Sequence, residues 1–129
     1  MAIGTGLRAL VLEDDLEIQL LISKVLSAHG FTIDAVSDGL AGLLKIEEAL
    51  PDIILCDLAM PELDGLSFAK AVKGAAGSKA VPIIFVTARD DVSSVVEGMQ
   101  AGASSYLAKP FKRDDLLAAI KRALPARVT

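Results

Sequence analysis

The apolar run "IILC", residues 53–56, ends on Asp57 and passes at once into the loop "LAMPELDG". A carboxylate at the mouth of a core strand invites a chemical reading. Other apolar runs end in the same way. Glu13, Asp14 and Asp15 follow "LVL" (10–12), Thr87 closes "IIFVT" (83–87), and Lys109 and Pro110 follow "YLA" (106–108). If these groups meet, several carboxylates share one small site, and some must protonate or find a cation. Lysine offsets one charge, and a hard divalent ion with oxygen ligands offsets the rest. Mg2+, or Mn2+ in its place, takes one or two carboxylates, keeps water and leaves positions for phosphate oxygens. A hydroxyl and an ammonium are donors to such oxygens. The set suits phosphoryl transfer onto an aspartate, giving an acyl phosphate. The metal and the lysine would stabilise the charge on the transferring group.

Whether the groups meet depends on the elements that carry them. Short apolar runs at 7–12, 31–36, 53–57, 82–87 and 104–107 read as strands. Between them lie segments of helical period. Ile18, Ile22, Val25 and Leu26 mark one face of a first helix, which Gly30 stops. Ser37 or Asp38 caps a second helix through Glu48, and Asp64-Gly65 opens a third to about Lys73. "GAAGSKA", 74–80, reads as a flexible connector. Asp91 starts a fourth helix with an apolar stripe, Val92, Val95, Val96 and Met99, expected in the core. A fifth helix runs from Lys112 to Leu124 with Leu116, Leu117, Ile120 and Leu124 inward, and Pro125 stops it. This alternation predicts an α/β, doubly wound (βα)5, flavodoxin-like fold, with a five-stranded parallel sheet in the order 2-1-3-4-5 and helices on both faces. Strands one, three, four and five are then neighbours, and their polar ends share one crevice.

The 129 residues suit a single domain with a core at 7–124 and short tails. Hydrophobic residues make up 53 % of the chain but aromatics only 4 %, so branched aliphatics and alanine must fill the core. A net charge of −4 argues against a nucleic-acid surface. No apolar run approaches the roughly 20 residues needed to span a bilayer. The start "MAIGTGLRAL" lacks the basic region of a secretory signal, and the lone Cys56 excludes an internal disulfide, so cytoplasmic location is expected. Cys56 reads as a buried small hydrophobe and His29 as an exposed helix-end residue. Gly4 and Gly6 lack the strand-then-helix setting of a dinucleotide loop, and no Walker sequence is present.

"LVLEDD" (10–15), "IILCDLAMPELDG" (53–65), "IIFVTA" (83–88) and "YLAKPF" (106–111) stand in order at fitting separations. Together they make the chain resemble the receiver domain of two-component response regulators. The resemblance implies that Asp57 accepts a phosphoryl group from a histidine kinase or a phosphotransfer protein. It implies metal ligation by Glu13, Asp14, Asp57 and the backbone carbonyl of Ala59. Thr87 and Lys109 would bond the phosphoryl group, and the Lys109–Pro110 bond would be cis. Tyr106 would be the aromatic that turns inward behind Thr87. The surface of the fourth helix, fifth strand and fifth helix would signal to a downstream protein or an output domain outside this sequence, and a homodimer on activation stays open. The triplet Glu13-Asp14-Asp15 permits two acidic pairs. The first two directly follow the strand and are preferred, which leaves Asp15 to cap the first helix. Ala59 lacks the polar side chain of many relatives, and Arg89 occupies a position that the family ties to phosphoryl lifetime.

Two other functions compete for the same residues. A phosphohydrolase with an aspartyl nucleophile would want a second aspartate two residues on, where this chain has Ala59. A pure interaction module would have no use for the intact acid set.

Overall fold

A computed structural model describes residues 2–89 and 91–125. The expected C-terminal tail lies outside the described residues from 126 on. Ten elements alternate along the chain: β1 (Arg8–Leu12), α1 (Leu16–Ala28), β2 (Thr32–Val36), α2 (Gly39–Glu48), β3 (Ile53–Cys56), α3 (Gly65–Gly74), β4 (Ile83–Thr87), α4 (Val92–Gln100), β5 (Ser105–Ala108) and α5 (Arg113–Ala123). The strands form one sheet in the order β2-β1-β3-β4-β5, with every pairing parallel. The expected architecture and strand order are therefore present.

Side chains of a strand alternate between the two faces of its sheet, and each face here has its own core. Ala9, Val11, Ile53, Leu55, Ile84 and Val86 point to one side, where Ile22 and Leu26 of α1 and Leu116 and Ile120 of α5 cover them. Leu10, Leu12, Ile54, Cys56, Ile83 and Phe85 point to the other, against Phe68, Ala69 and Val72 of α3. Burial on both faces explains why these strands read as continuous apolar runs.

The helix boundaries follow their caps. Asp15, Asp38, Asp64 and Asp91 each accept hydrogen bonds from backbone N–H groups in the first turns of α1 to α4. At the end of α1, the Gly30 N–H bonds the Ser27 carbonyl and the Phe31 N–H bonds the Leu26 carbonyl, with Gly30 at φ +90°. That left-handed residue is the one that only glycine takes up readily.

Four expectations are corrected. Most of the α4 stripe faces solvent: Val92 is 80 % exposed and Met99 44 %, and Val96 is exposed as well. The inward side of α4 carries half-buried Ser94 and Val95, then buried Gly98 and Ala101. Small residues let this helix lie close to the sheet, so hydrophobicity alone pointed to the wrong side. His29 is buried rather than exposed, with its ring Nε2 3.3 Å from the Arg113 guanidinium. The core reaches further toward the N-terminus than the expected 7–124, because Ile3 is buried in the α1/α5 core and the Gly4 N–H bonds the His29 carbonyl. The connector 74–80 is a hydrogen-bonded turn. The buried Ser78 hydroxyl donates to the Val72 carbonyl at 2.8 Å, and the Lys79 N–H bonds the Ala75 carbonyl.

Among the described residues, no helix is long and apolar enough to cross a membrane.

Candidate functional site

Strand register brings the polar ends together. Leu12 pairs with Cys56, Cys56 with Phe85, and Thr87 with Ala108. The residues just past β1 and β3, Glu13 and Asp57, thus leave the sheet side by side. The Asp57 N–H bonds the Leu12 carbonyl at 3.0 Å, and the Lys109 N–H bonds the Thr87 carbonyl at 2.9 Å. Asp57 and Lys109 are thus anchored at their backbones as well as through their side chains.

The side chains converge as expected. The Lys109 ammonium bridges two carboxylates, with Nζ 2.5 Å from Glu13 Oε1 and 2.8 Å from Asp57 Oδ2. Glu13 is 1 % exposed and Asp57 7 %, and Thr87 is buried beside them. Asp14 is exposed at the rim. The second oxygen of each buried acid is also satisfied. Glu13 Oε2 accepts from the Asp15 N–H and Asp57 Oδ1 from the Ala59 N–H, both at 3.2 Å. The Lys109–Pro110 peptide bond is cis.

The electrostatics follow from this pairing. Burial alone would raise the Asp57 pKa. The Lys109 ammonium and, less strongly, the Thr87 hydroxyl outweigh it and hold the carboxyl below its ordinary value. Burial dominates at Glu13, and the Asp57 charge adds to it, so that acid is raised despite its bonds to Lys109 and the Asp15 N–H. Burial would lower Lys109, but its two carboxylates win and raise it. The pocket therefore holds one ammonium between two acids, with a third acid, Asp14, exposed at its rim.

That surplus is suited to a divalent cation. Glu13, Asp14 and Asp57 each offer a carboxylate oxygen, and these oxygens lie within 4.8 Å of one another. A hard oxygen donor set of this kind fits Mg2+ or Mn2+. The crevice beside the acids is lined by Asp14, Ala59, Met60, Asp64 and Arg89, so Ala59 stands where a further oxygen could reach the same space.

Two glycines to which the sequence reading gave no packing role shape the site. Gly65, the first residue of α3, lies against the strand it follows, and a Cβ there would sit 2.2 Å from the Asp57 carbonyl oxygen. Only glycine permits this approach. Gly98 lies on the inward side of α4, where a Cβ would meet Phe85 at 3.1 Å and Tyr106 at 3.2 Å. The Tyr106 ring packs tilted against Phe85, with centroids 6.2 Å apart, and its hydroxyl donates to the Arg89 carbonyl. Gly65 was legible as the start of the third helix, but neither close approach leaves a signal in the sequence.

The model of the response regulator receiver domain family matches residues 9–121. The chain belongs to this family. It is 37 % identical over 119 residues to the response regulator MprA of Mycobacterium tuberculosis, covering 92 % of this chain and 51 % of that protein. The chain thus spans about half the length of the curated relatives it matches. Among solved structures it resembles the chemotaxis protein CheY4 of Vibrio cholerae, with TM-score 0.87, 31 % identity, and coverage of 92 % of this chain and 98 % of that one. The receiver domain of the sensor histidine kinase PA1611 from Pseudomonas aeruginosa is similar to the same degree. It gives TM-score 0.87 and 33 % identity over 95 % of this chain and 100 % of that one, and its structure holds a magnesium ion in the active-site cleft. This chain is a receiver domain of the two-component response regulator type.

Proposed function

We propose that this receiver takes a phosphoryl group onto Asp57 in a Mg2+- or Mn2+-dependent reaction and passes the change to a partner through α4, β5 and α5. The observation that carries the proposal is the Lys109 ammonium held between Asp57 and Glu13 at the rim of an acidic crevice.

Each residue has its own part in the transfer. Asp57 is ionised at neutral pH, because Lys109 lowers its pKa, and an ionised carboxylate oxygen is the nucleophile the step needs. One Asp57 oxygen forms the new O–P bond while the P–N bond of a donor phosphohistidine breaks. The imidazole nitrogen keeps that electron pair, and the ring leaves neutral because its other nitrogen carries a proton. Lys109 already points at Asp57 and can shift its donor hydrogens to a phosphoryl oxygen as charge accumulates there. The Thr87 hydroxyl, on the neighbouring strand end, can donate to another. A metal bound by Glu13, Asp14, Asp57 and the Ala59 carbonyl would neutralise phosphoryl charge. Asp57 then carries an acyl phosphate that water later removes, so the chain acts on itself once per signal and turns over no external substrate.

The donor is a histidine kinase or a phosphotransfer protein, and the reader is a downstream protein or an output domain. Residues 1–129 act as one receiver unit in the cytoplasm. As Thr87 is drawn to the phosphoryl group, Tyr106 leaves the Arg89 carbonyl and turns inward, which changes the α4–β5–α5 surface. The outward Val92, Val96 and Met99 lie on that surface and suit an apolar contact, with a second copy or an output partner.

Mass spectrometry after incubation with acetyl phosphate and Mg2+ tests the central step. The wild-type chain should gain one acid-stable, base-labile phosphoryl group, and Asp57→Asn should gain none. A wild-type chain that stays unmodified where a control receiver is phosphorylated would overturn the reading.

A further inference from the structure

Gln19 is the fourth residue of α1, half-buried, outside every motif that defines the site. Its side-chain Nε2 is 2.9 Å from the Glu13 carbonyl and 3.0 Å from the Val36 carbonyl. Both neighbours are carbonyl oxygens, so the nitrogen end of the amide must face them, and both of its hydrogens are used. The Val36 carbonyl also accepts the Glu13 N–H at 3.0 Å. One side chain therefore staples the point where the chain leaves β1 to the last residue of β2.

The stapled backbone carries two of the three acids of the site. Glu13 must turn inward to Lys109 while its neighbour Asp14 stays at the rim, with an oxygen within 4.8 Å of those of Glu13 and Asp57. Three carboxylates held this close repel, and the backbone between Glu13 and Asp14 needs an external restraint to stay in place. The Asp15 cap holds the loop from its far side, through N–H groups of α1. Gln19 holds the near side. We infer that Gln19 is a positioning residue for the cation site: it fixes the backbone of Glu13 and Asp14 before the cation arrives, so that binding need not order the loop. A group that orients ligands without touching the metal commonly changes metal affinity by about 10-fold or more when removed. The inference rests on the reading of Glu13, Asp14 and Asp57 as the cation and phosphoryl site.

The test is a Mg2+ titration of the full chain and of Gln19→Met, followed by 1H–15N NMR. Methionine keeps the length and the apolar stem and deletes both donors. The expected result is an apparent Mg2+ Kd about 10-fold weaker in Q19M. Phosphorylation by acetyl phosphate should be slowed at low Mg2+ and restored to within about two-fold of wild type at saturating Mg2+, since no reacting atom has been removed. A wild-type Kd in folded Q19M overturns the inference and leaves the site reading intact. A loss that saturating Mg2+ does not restore also overturns it, because the role would then not be cation positioning. A wild-type chain that binds no Mg2+ sinks both. Where Q19M does not fold, the wild-type side chain decides. Its two amide protons should exchange with solvent more slowly than those of exposed Gln100 and should shift during the titration, and free exchange with no shift overturns the inference.

Discussion

The Tyr106 hydroxyl donates a hydrogen bond to the backbone carbonyl of Arg89, two residues beyond Thr87. The bond ties the aromatic ring of β5 to the loop that leaves the threonine, so neither can move alone. Tyr106 is the single tyrosine of a chain without tryptophan, and its emission therefore reports the surroundings of this one ring. Beryllofluoride with Mg2+ should change the emission intensity of the wild-type chain, because the ring must break the Arg89 bond to turn inward. Asp57→Asn should give no change under the same conditions. An unaltered wild-type spectrum, with beryllofluoride bound by an independent measure, would argue that Tyr106 does not switch.

Gly98 should set the resting position of that ring. Glycine inside a helix costs about 1 kcal/mol relative to alanine, so Gly98→Ala ought to stabilise α4 by propensity alone. The new Cβ would meet Phe85 and Tyr106 ring atoms at 3.1–3.3 Å, which is tight enough to displace the half-buried tyrosine. The two effects oppose. The expected outcome is a stability within about 1 kcal/mol of wild type by urea unfolding, together with a Tyr106 emission already shifted before beryllofluoride is added.

Gly65→Ala should do more damage. Its Cβ would sit 2.2 Å from the Asp57 carbonyl oxygen and 2.8 Å from the Leu58 Cα, and backbone atoms cannot swing aside as a side chain can. Overpacking of this kind costs about 1–3 kcal/mol. For a domain of this size that lowers the melting temperature by several degrees. Because the displaced atoms belong to Asp57, phosphorylation should fall further than stability explains, even at temperatures where the variant is fully folded.

Removing the bridging cation should change how stability depends on pH. In the wild-type chain the lowered Asp57 contributes stability that is present above the ~3.9 of an unfolded aspartate and is lost as pH falls through the lower folded value. The raised Glu13 acts in the opposite sense: it costs stability at neutral pH, and the cost is relieved as pH falls through its folded value toward the ~4.3 of an unfolded glutamate. Lys109 adds stability that is lost only above ~10.4, as pH rises through its raised folded value. Lys109→Met removes what lowers Asp57 and what offsets burial at Glu13, so both acids titrate higher. The urea midpoint of K109M should therefore rise as pH is lowered from 7 to 5, while the wild-type midpoint changes less. A flat K109M profile would contradict the assigned coupling.

Mg2+ should stabilise the folded chain by mass action. A cation that binds the native state alone adds about 2.7 kcal/mol at 100 times its Kd, visible as a melting temperature that climbs with Mg2+ concentration. The shift should vanish in a variant lacking both Asp14 and Asp57 carboxylates, and calorimetric scans with and without chelator would show it.

Much of this molecule was legible in its sequence. The apolar runs read as strands of a parallel sheet covered on both faces, aspartates stood as caps before the first, third and fourth helices and as one of two candidates before the second, and the βα alternation left one common strand order. That order obliges residues as distant in sequence as Glu13 and Lys109 to meet, since parallel strands release all their polar ends along one edge. Tertiary structure decided the rest, because it depends on distances that residue type does not encode. The α4 stripe read as core from its spacing, yet the helix lies on the sheet through Gly98 and turns Val92 and Met99 outward. His29 is enclosed by Arg113 and the N-terminal segment, which meet it only after the chain has folded. The clamp from Gln19 to two carbonyls arises from where α1 crosses the ends of β1 and β2. A side-chain amide gives no hint in sequence of which backbone oxygens will come within its reach.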